Sequence, residues 1–439
     1  MAKQIASYGV EIKHVKKIFY PTITLFRKAT TFCVDVFEME WSDITILDSK
    51  SKINYAERLI HTTKNNIAKY PDFDRRFYKM PAYMRRAVIS AALGSLASYH
   101  SNLDNWLISG QHGRKPRLQN KLNKMPVFYR DSMYKGDGSD KVSLRLFQNG
   151  DWVWVEFALK HTDMQYIRKH CDMEHMSCPV LEKIHHKWFL RFSFEEEYHL
   201  NRKKYSEQTI LAVDLGINTD ATCAVMKSDG TVLARKFINF AGEKDLIYHT
   251  LNKVKGVSQK SGPHNTTKLW RYATMHNEEL GRKIAGAITA YAVQMGCDVI
   301  VFEHLDTSGK KRGKRKQRLH MWRKNTIQRI VEHKAHKNGI RISHICAWNT
   351  SRLAFDGSGI VLRGKDAGFA TNELCQFSNG KVYNCDLSAA YNIGARYFIR
   401  EIQKSISARK WSLIQAKVPE CGKRTLCTYN TLLEIRRAA

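Results

Sequence analysis

The sequence contains no apolar run of about 18 residues, the length a membrane-spanning helix needs. It also has no secretory signal pattern and no lipidation motif. No membrane partner is expected. Acids are scarce: 41 Asp+Glu stand against 72 Lys+Arg, a formal charge of +31. Each phosphate neutralised by Lys or Arg releases counterions, so this excess points to a nucleic acid. Ten cysteines are scattered without a compact framework. That argues against a secreted disulfide scaffold and for a reduced, cytoplasmic compartment. Cys171, His175 and Cys178 have suggestive spacing but no fourth ligand in view, and are read as structural.

What is present is a set of three acids in distinctive contexts. Asp214 ends the apolar run in LAVDLGINTDAT, Glu303 ends that in CDVIVFEHL, and Asp386 opens NCDLSAAYNIG. An acid directly after a buried strand must leave the core or find a cation to offset its charge. Any one of them alone reads as a strand or turn cap. Three meeting at one point would hold divalent cations through oxygen ligands, as Mg²⁺ prefers. Two such ions about 3.5–4 Å apart would clamp the attacking and leaving oxygens of a phosphodiester.

The chain organises as follows. Residues 1–15 are expected to form a first strand and 16–115 a helical domain. Within it, Ile89, Leu93, Leu96, Tyr99, Leu103 and Trp106 recur at three- and four-residue steps, as a bundle core would. Nearby Arg85 and Arg86 fit a nucleic-acid face or a solvated one equally. GRKPRLQNKLNKMP (113–126) is a basic linker. VSLRLF, an Asn-Gly turn, WVWVEF and later KWFLRFSFE predict strands. Residues 120–205 are thus expected to form a small β-barrel-like domain. From Gln208 the order is strand, strand, strand, helix, strand, helix, strand, which fits an RNase H-like α/β fold. There the first and fourth strands lie side by side, bringing Asp214 to Glu303. A helix from about 387 brings Asp386 to the same end. No role is assigned to 401–439.

AVDLGIN, VIVFEHL and DLSAAYNIGARY resemble the three RuvC-like nuclease motifs of TnpB proteins. These are transposon-encoded RNA-guided DNA nucleases related to compact type V CRISPR effectors. The resemblance covers residues 206–400. It implies a RuvC-like nuclease domain in which Asp214, Glu303 and Asp386 are the catalytic metal ligands for Mg²⁺, two ions, with Mn²⁺ able to stand in. It further implies a bound guide RNA that selects target DNA by base pairing, while the protein reads a short flanking motif. The resemblance implies that the barrel-like domain comprises 1–15 and 116–205, with 16–115 inserted as helices. The former would be the wedge that grips the guide scaffold, and 16–115 the recognition domain. A compact type V CRISPR effector, a catalytically dead RNA-guided repressor and a guide-free nuclease or transposase are the alternatives. Retention of all three acids disfavours the dead binder.

Twelve Lys/Arg and one acid, Glu332, lie between Thr307 and Ile340. Lys310, Lys311, Arg312, Lys314, Arg315, Lys316 and Arg318 follow Glu303 closely and are expected to grip a nucleic-acid backbone. Arg323 and Arg352 are assigned with them. Trp322 and Trp348 could stack on bases, though Trp322 begins an amphipathic series better suited to packing. The insertion 349–385 departs from the resembled family, which carries two CxxC pairs there. Leu353, Asp356, Gln376 and Asn379 occupy the expected cysteine positions, and Cys375 and Cys385 are out of register. A structural zinc is therefore not expected, and Gly357, Gly359, Gly364 and Gly368 should shape turns instead. The stretch Gly359–Lys365 nearly spells a phosphate-binding loop, but Asp366 replaces the Mg²⁺-binding Ser/Thr and no buried strand precedes it.

Overall fold

The computed structural model describes all residues except 1, 16, 120, 121, 137, 305–320 and 439. The chain divides into two compact units, Lys3–Glu196 and Glu197 onward.

The first unit combines strands and helices around one core. Strand β1 (Ala2–Ile12) is followed by helices α1 (Tyr20–Met39), α2 (Trp41–Thr45), α3 (Ser49–Ile60), α4 (Asp72–Arg76) and α5 (Ala82–Ile108). Strands β2 (Tyr134–Lys135), β3 (Lys141–Gln148) and β4 (Asp151–Ala158) come next, then α6 (His161–His170), β5 (Val180–Ile184) and β6 (Lys187–Tyr198). The Asn-Gly turn between β3 and β4 has φ of 49° at Asn149 and 86° at Gly150, the primed geometry that matches strand twist. The strands form two three-stranded sheets, β1-β6-β5 and β2-β3-β4, where a barrel-like arrangement was expected. A single bridge, Ile12 to Leu159, links the end of β1 to the residue after β4. Phe26 and Phe37 of α1, Val88 of α5, Leu144 of β3 and Phe192 of β6 share one buried cluster. Only half of the apolar stripe on α5 reaches it. Ile89 and Leu96 are fully buried and Leu93 packs against the cluster, whereas Tyr99, Leu103 and Trp106 are only half-buried and lie outside it, because the helix outruns the core it packs on. Arg85 and Arg86 both turn to Glu57, with Nε–Oε distances of 3.0 and 3.2 Å. His175 is held by Asp172 at 2.8 Å.

The second unit is built on a five-stranded sheet. Its strands are β7 (Thr209–Asp214), β8 (Ala221–Lys227), β9 (Val232–Ile238), β10 (Val299–His304) and β11 (Arg341–Cys346), in the order β11-β10-β7-β8-β9. β7, β8 and β9 are antiparallel, and β10 is parallel to both β7 and β11. The first and fourth strands of the unit are therefore neighbours, as their order in sequence predicts. Alternation divides the residues of β7 between two cores. Leu211 and Val213 pack with Leu280 and Ile284 of α8 (Thr267–Gln294), which follows α7 (Ala241–Ser261). Val331 of α9 (Lys324–Lys337) joins that face. Ile210 and Ala212 pack on the opposite face against Ala390, Ile393 and Tyr397.

Those three residues belong to α10 (Cys385–Ser405), which is buried over most of its length. Helix and sheet approach closely at Gly394. A Cβ there would lie 2.4 Å from Met226 Sδ and 3.3 Å from Ala212 Cβ. The 401–439 segment continues as α11 (Ala408–Lys417) and α12 (Tyr429–Ala438). Trp411, Ile414, Leu432 and Ile435 complete the same core.

Before α10, the insertion folds as a small sheet of β12 (Leu362–Arg363), β13 (Leu374–Gln376) and β14 (Val382–Asn384). Gly357, Gly359, Gly364 and Gly368 all have positive φ, the region glycine enters at no steric cost. Two of the positions where the resembled family has cysteines are joined directly, since Asn379 Nδ2 donates to Asp356 Oδ2 at 3.0 Å. Ser358 donates to the same carboxylate from its backbone N at 3.1 Å and from its hydroxyl at 2.7 Å. Burial works to raise the Asp356 pKa, but these donors outweigh it and hold it below the ordinary value. Phe355, packed against Phe377, Tyr383 and Tyr391, fills the space beneath. A charge-assisted hydrogen bond and a ring cluster thus tie the two limbs of the insertion together. Asp356→Ala should cost about 1.5–3 kcal/mol of stability, read by thermal or denaturant unfolding at neutral pH. Elemental analysis of the wild-type protein should find zinc far below one atom per chain. Stoichiometric zinc would contradict this account of the insertion.

Candidate nuclease site

The sheet register explains why two of the acids meet. Phe302 of β10 pairs with Val213 of β7, so the next residues, Glu303 and Asp214, fall side by side at the ends of adjacent strands. Ala212 and Val301 both lie in the core beneath α10. Two residues on, Asp214 and Glu303 must point to that same face. Asp386 is the second residue of α10, whose start is fixed by Asn384: its Oδ1 accepts from the Leu387 N–H at 2.9 Å. The helix therefore delivers Asp386 to the strand ends occupied by the other two.

The electrostatics record the meeting. Burial, then Glu303, then Asp386 push the Asp214 pKa well above the ordinary carboxylate range, against a smaller opposing pull from Arg363. Burial also raises Glu303, opposed by the Thr350 hydrogen bond and by Arg396. Asp386 is raised by burial and by Glu373, with Arg363 again opposing. Among the described residues, no three acidic, histidine or cysteine side chains are already drawn to coordinating distance. The donor set is nonetheless all carboxylate oxygen, and its negative charge is only partly offset by the protein. Both features suit a hard divalent cation.

A network behind the acids was not foreseen. Thr350 is buried, and its hydroxyl lies within reach of the Glu303 carboxylate and of the Ala347 carbonyl at 2.9 Å, donating to one at a time. Asn392 of α10 donates to the carbonyls of Thr350 and Leu353, both at 2.9 Å, and accepts from the Tyr429 N–H at 2.9 Å. One turn further, Arg396 donates to the carbonyls of Cys346 (2.8 Å), Trp348 (2.7 Å), Thr425 (3.2 Å) and Cys427 (2.9 Å). Ser388 accepts from the Phe355 N–H at 3.2 Å. Ser388, Asn392 and Arg396 are spaced four apart along the buried, otherwise largely apolar stretch 387–399 of the helix. That polar stripe was the available signal. It clamps the loop carrying Thr350 and the 425–429 segment to α10. Arg363 bonds the Ser351 carbonyl through Nη2, while its buried Nε–H has no partner among the described residues.

Other expected residues fall elsewhere. Lys310, Lys311, Arg312, Lys314, Arg315, Lys316 and Arg318 lie outside the described residues. Arg323 reaches Glu278 at 3.4 Å, and Arg352 is exposed. Trp322 packs on the α8 face of the sheet, whereas Trp348 is exposed. Asp220 is structural, accepting from the Phe240 N–H at 2.7 Å and pairing with Lys244 at 3.3 Å. Asp298, at the far end of the sheet, accepts from the Thr209 N–H at 3.0 Å. A largely apolar cavity of about 380 Å³ between α7, α8 and Trp322 lies on the sheet face opposite the carboxylates.

With this geometry in place, comparison with solved structures finds a Cas12f1, seen in a cryo-EM complex with sgRNA and target DNA. The match has a TM-score of 0.52 at 14% identity and covers 86% of this chain and 81% of that one. The two share a fold. C2c1 of Alicyclobacillus acidoterrestris with single-guide RNA is also found, with a TM-score of 0.40 at 10% identity over 88% of this chain and 66% of that one. CasPhi-2 (Cas12j) bound to crRNA gives a TM-score of 0.38 at 10% identity over 89% and 97%. The structural neighbours are thus compact type V effectors of the Cas12f and Cas12 families, relatives of TnpB. A family model described as the Aq_aa04 family matches residues 6–148. No curated protein matches the chain. No helix among the described residues is long and apolar enough to cross a membrane.

A carboxyl whose pKa is raised on folding contributes stability below its unfolded pKa and loses it as pH rises through the folded one. In EDTA at pH 8, Asp214→Asn should therefore melt a few degrees above wild type, and the difference should vanish near pH 4. A lower melting temperature for the variant at pH 8 would contradict the clustered-charge assignment.

Proposed function

We propose that the chain is an RNA-guided, Mg²⁺-dependent DNA endonuclease of the TnpB type. The observation that carries this reading is the convergence of Asp214, Glu303 and Asp386 at one end of a mixed sheet. The sheet order and the motifs support a RuvC-like, RNase H-like domain over 206–400, with 401–439 packed into its core. Residues 1–15 and 116–205 would be the wedge and 16–115 the recognition domain, gripping a guide RNA. The +31 charge supplies the attraction for RNA and DNA.

Within the site, Asp214, Glu303 and Asp386 would hold the divalent ions, with Mn²⁺ able to substitute for Mg²⁺. Ions bound there would polarise the scissile phosphate and lower the pKa of an attacking water. Thr350 holds Glu303 in orientation. Asn392 and Arg396 fix the loop that presents Thr350. Arg363 offsets part of the charge on Asp214 and Asp386. The likeness to a Cas12f1 supports a second reading of the same chemistry, a compact type V CRISPR effector whose guide comes from a CRISPR array.

The test is the bound RNA. Expressed with its native flanking DNA, the protein should copurify with one discrete RNA that survives a high-salt wash, because shape, stacking and 2′-hydroxyl contacts resist salt. Changing the variable end of that RNA should redirect cleavage. Heterogeneous RNA that washes off in salt, with cutting indifferent to the RNA supplied, would make a guide-free nuclease the better account.

A further inference from the structure

The α7–α8 hairpin carries a second, independent feature. From Leu246 to Asn277 the sequence has five Lys/Arg and no Asp or Glu. Lys253, Lys255, Lys260, Lys268 and Arg271 are all exposed. None of the five makes an ion pair among the described residues. Cations just outside this stretch behave differently. Lys244 pairs with Asp220 (3.3 Å), Arg282 with Glu279 (3.0 Å) and Lys283 with Glu243 (2.7 Å). The fold neutralises its cations up to the edge of the hairpin tip and leaves those within it open.

Large rings share the surface. Tyr248 is 62% exposed, Trp270 41% and Tyr272 45%. On α8, Lys268, Arg271, Tyr272 and Met275 follow i, i+3, i+4, i+7 and form one outward stripe, while Ala273, Asn277 and Leu280 face inward. On α7, Tyr248, Asn252 and Lys255 are likewise spaced for one outward row, opposite buried Ile247, Thr250 and Val254. A merely solvated helix face accounts for the lysines but not for three open aromatic rings beside them. A paired duplex hides its base faces, so it would use the charges and leave the rings idle. Rings interleaved with unpaired cations suit a strand whose bases are unstacked.

We propose that the outward face of the α7–α8 hairpin binds unpaired nucleic-acid strand, its cations on phosphates and its rings on bases. This does not rest on the nuclease reading, because binding can be measured without cleavage. The test uses the full chain in EDTA and a fluorescein-labelled oligothymidine, titrated at several salt concentrations. Lys253→Gln, Lys255→Gln, Lys260→Gln, Lys268→Gln and Arg271→Gln combined should reduce the slope of log K against log salt by about 3.5, since each phosphate contact contributes about 0.7 on single strands. Tyr248→Ala with Tyr272→Ala should weaken binding about tenfold or more and leave the slope unchanged. Both sets are exposed, and unchanged thermal melting verifies that each variant folds. An unchanged slope in the charge variant, or unchanged affinity in the ring variant, overturns the proposal. So does an equal loss on a blunt duplex, which would mean the surface reads paired strands.

Discussion

Mutual repulsion among three desolvated carboxylates is the constraint around which the second unit is arranged. Burial and proximity raise the pKa of Asp214, and burial raises Glu303 and Asp386 as well. Such a cluster persists only where the surrounding structure forces it. Here the forcing elements are the parallel register of β7 and β10, the dense seat of α10 on the sheet at Gly394, and the Asn384 cap that starts α10 beside the strand ends. The protein's own offsets, Thr350, Arg363 and Arg396, leave a deficit that a bound cation would fill.

The same logic gives the insertion and the C-terminal segment a shared purpose. Thr350 sits at the start of the insertion, and Arg396 grips backbone on both sides of the site, at 346–348 and at 425–427. Asn392 joins Thr350 to Tyr429 through a single side chain. The last helices are thus part of the scaffold that orients Glu303. The hydrogen bond between Asp356 and Asn379 keeps the insertion closed where the resembled family relies on cysteines.

Much of this was legible in the sequence, for identifiable reasons. Strands β7, β8 and β10 are short apolar runs with sharp ends, so their existence and the placement of Asp214 and Glu303 followed from pattern. The Asn-Gly turn between β3 and β4 announced itself in the same way. Helix α7 did not, because it buries only Ile247, Thr250 and Val254 along 21 residues, too thin a stripe to stand out. The two sheets of the first unit were hidden because pairing between β1 and β6 spans most of that unit, and local pattern carries no partner information. Arg396 and Asn392 looked like ordinary polar residues in a helix. Their significance depends on loops distant in sequence whose carbonyls they bond. Arg363 lies in a stretch whose composition suggested only turns.

The account stands on the three carboxylates acting as one unit. Its most direct test is DNA cleavage in Mg²⁺ by Asp214→Ala, Glu303→Ala and Asp386→Ala, each purified with its bound RNA and each assayed in parallel for DNA binding. Residues that act together fail together when any one is removed. The expected result is loss of cleavage in all three with binding retained. Cleavage near the wild-type rate by any one of them would contradict the assignment.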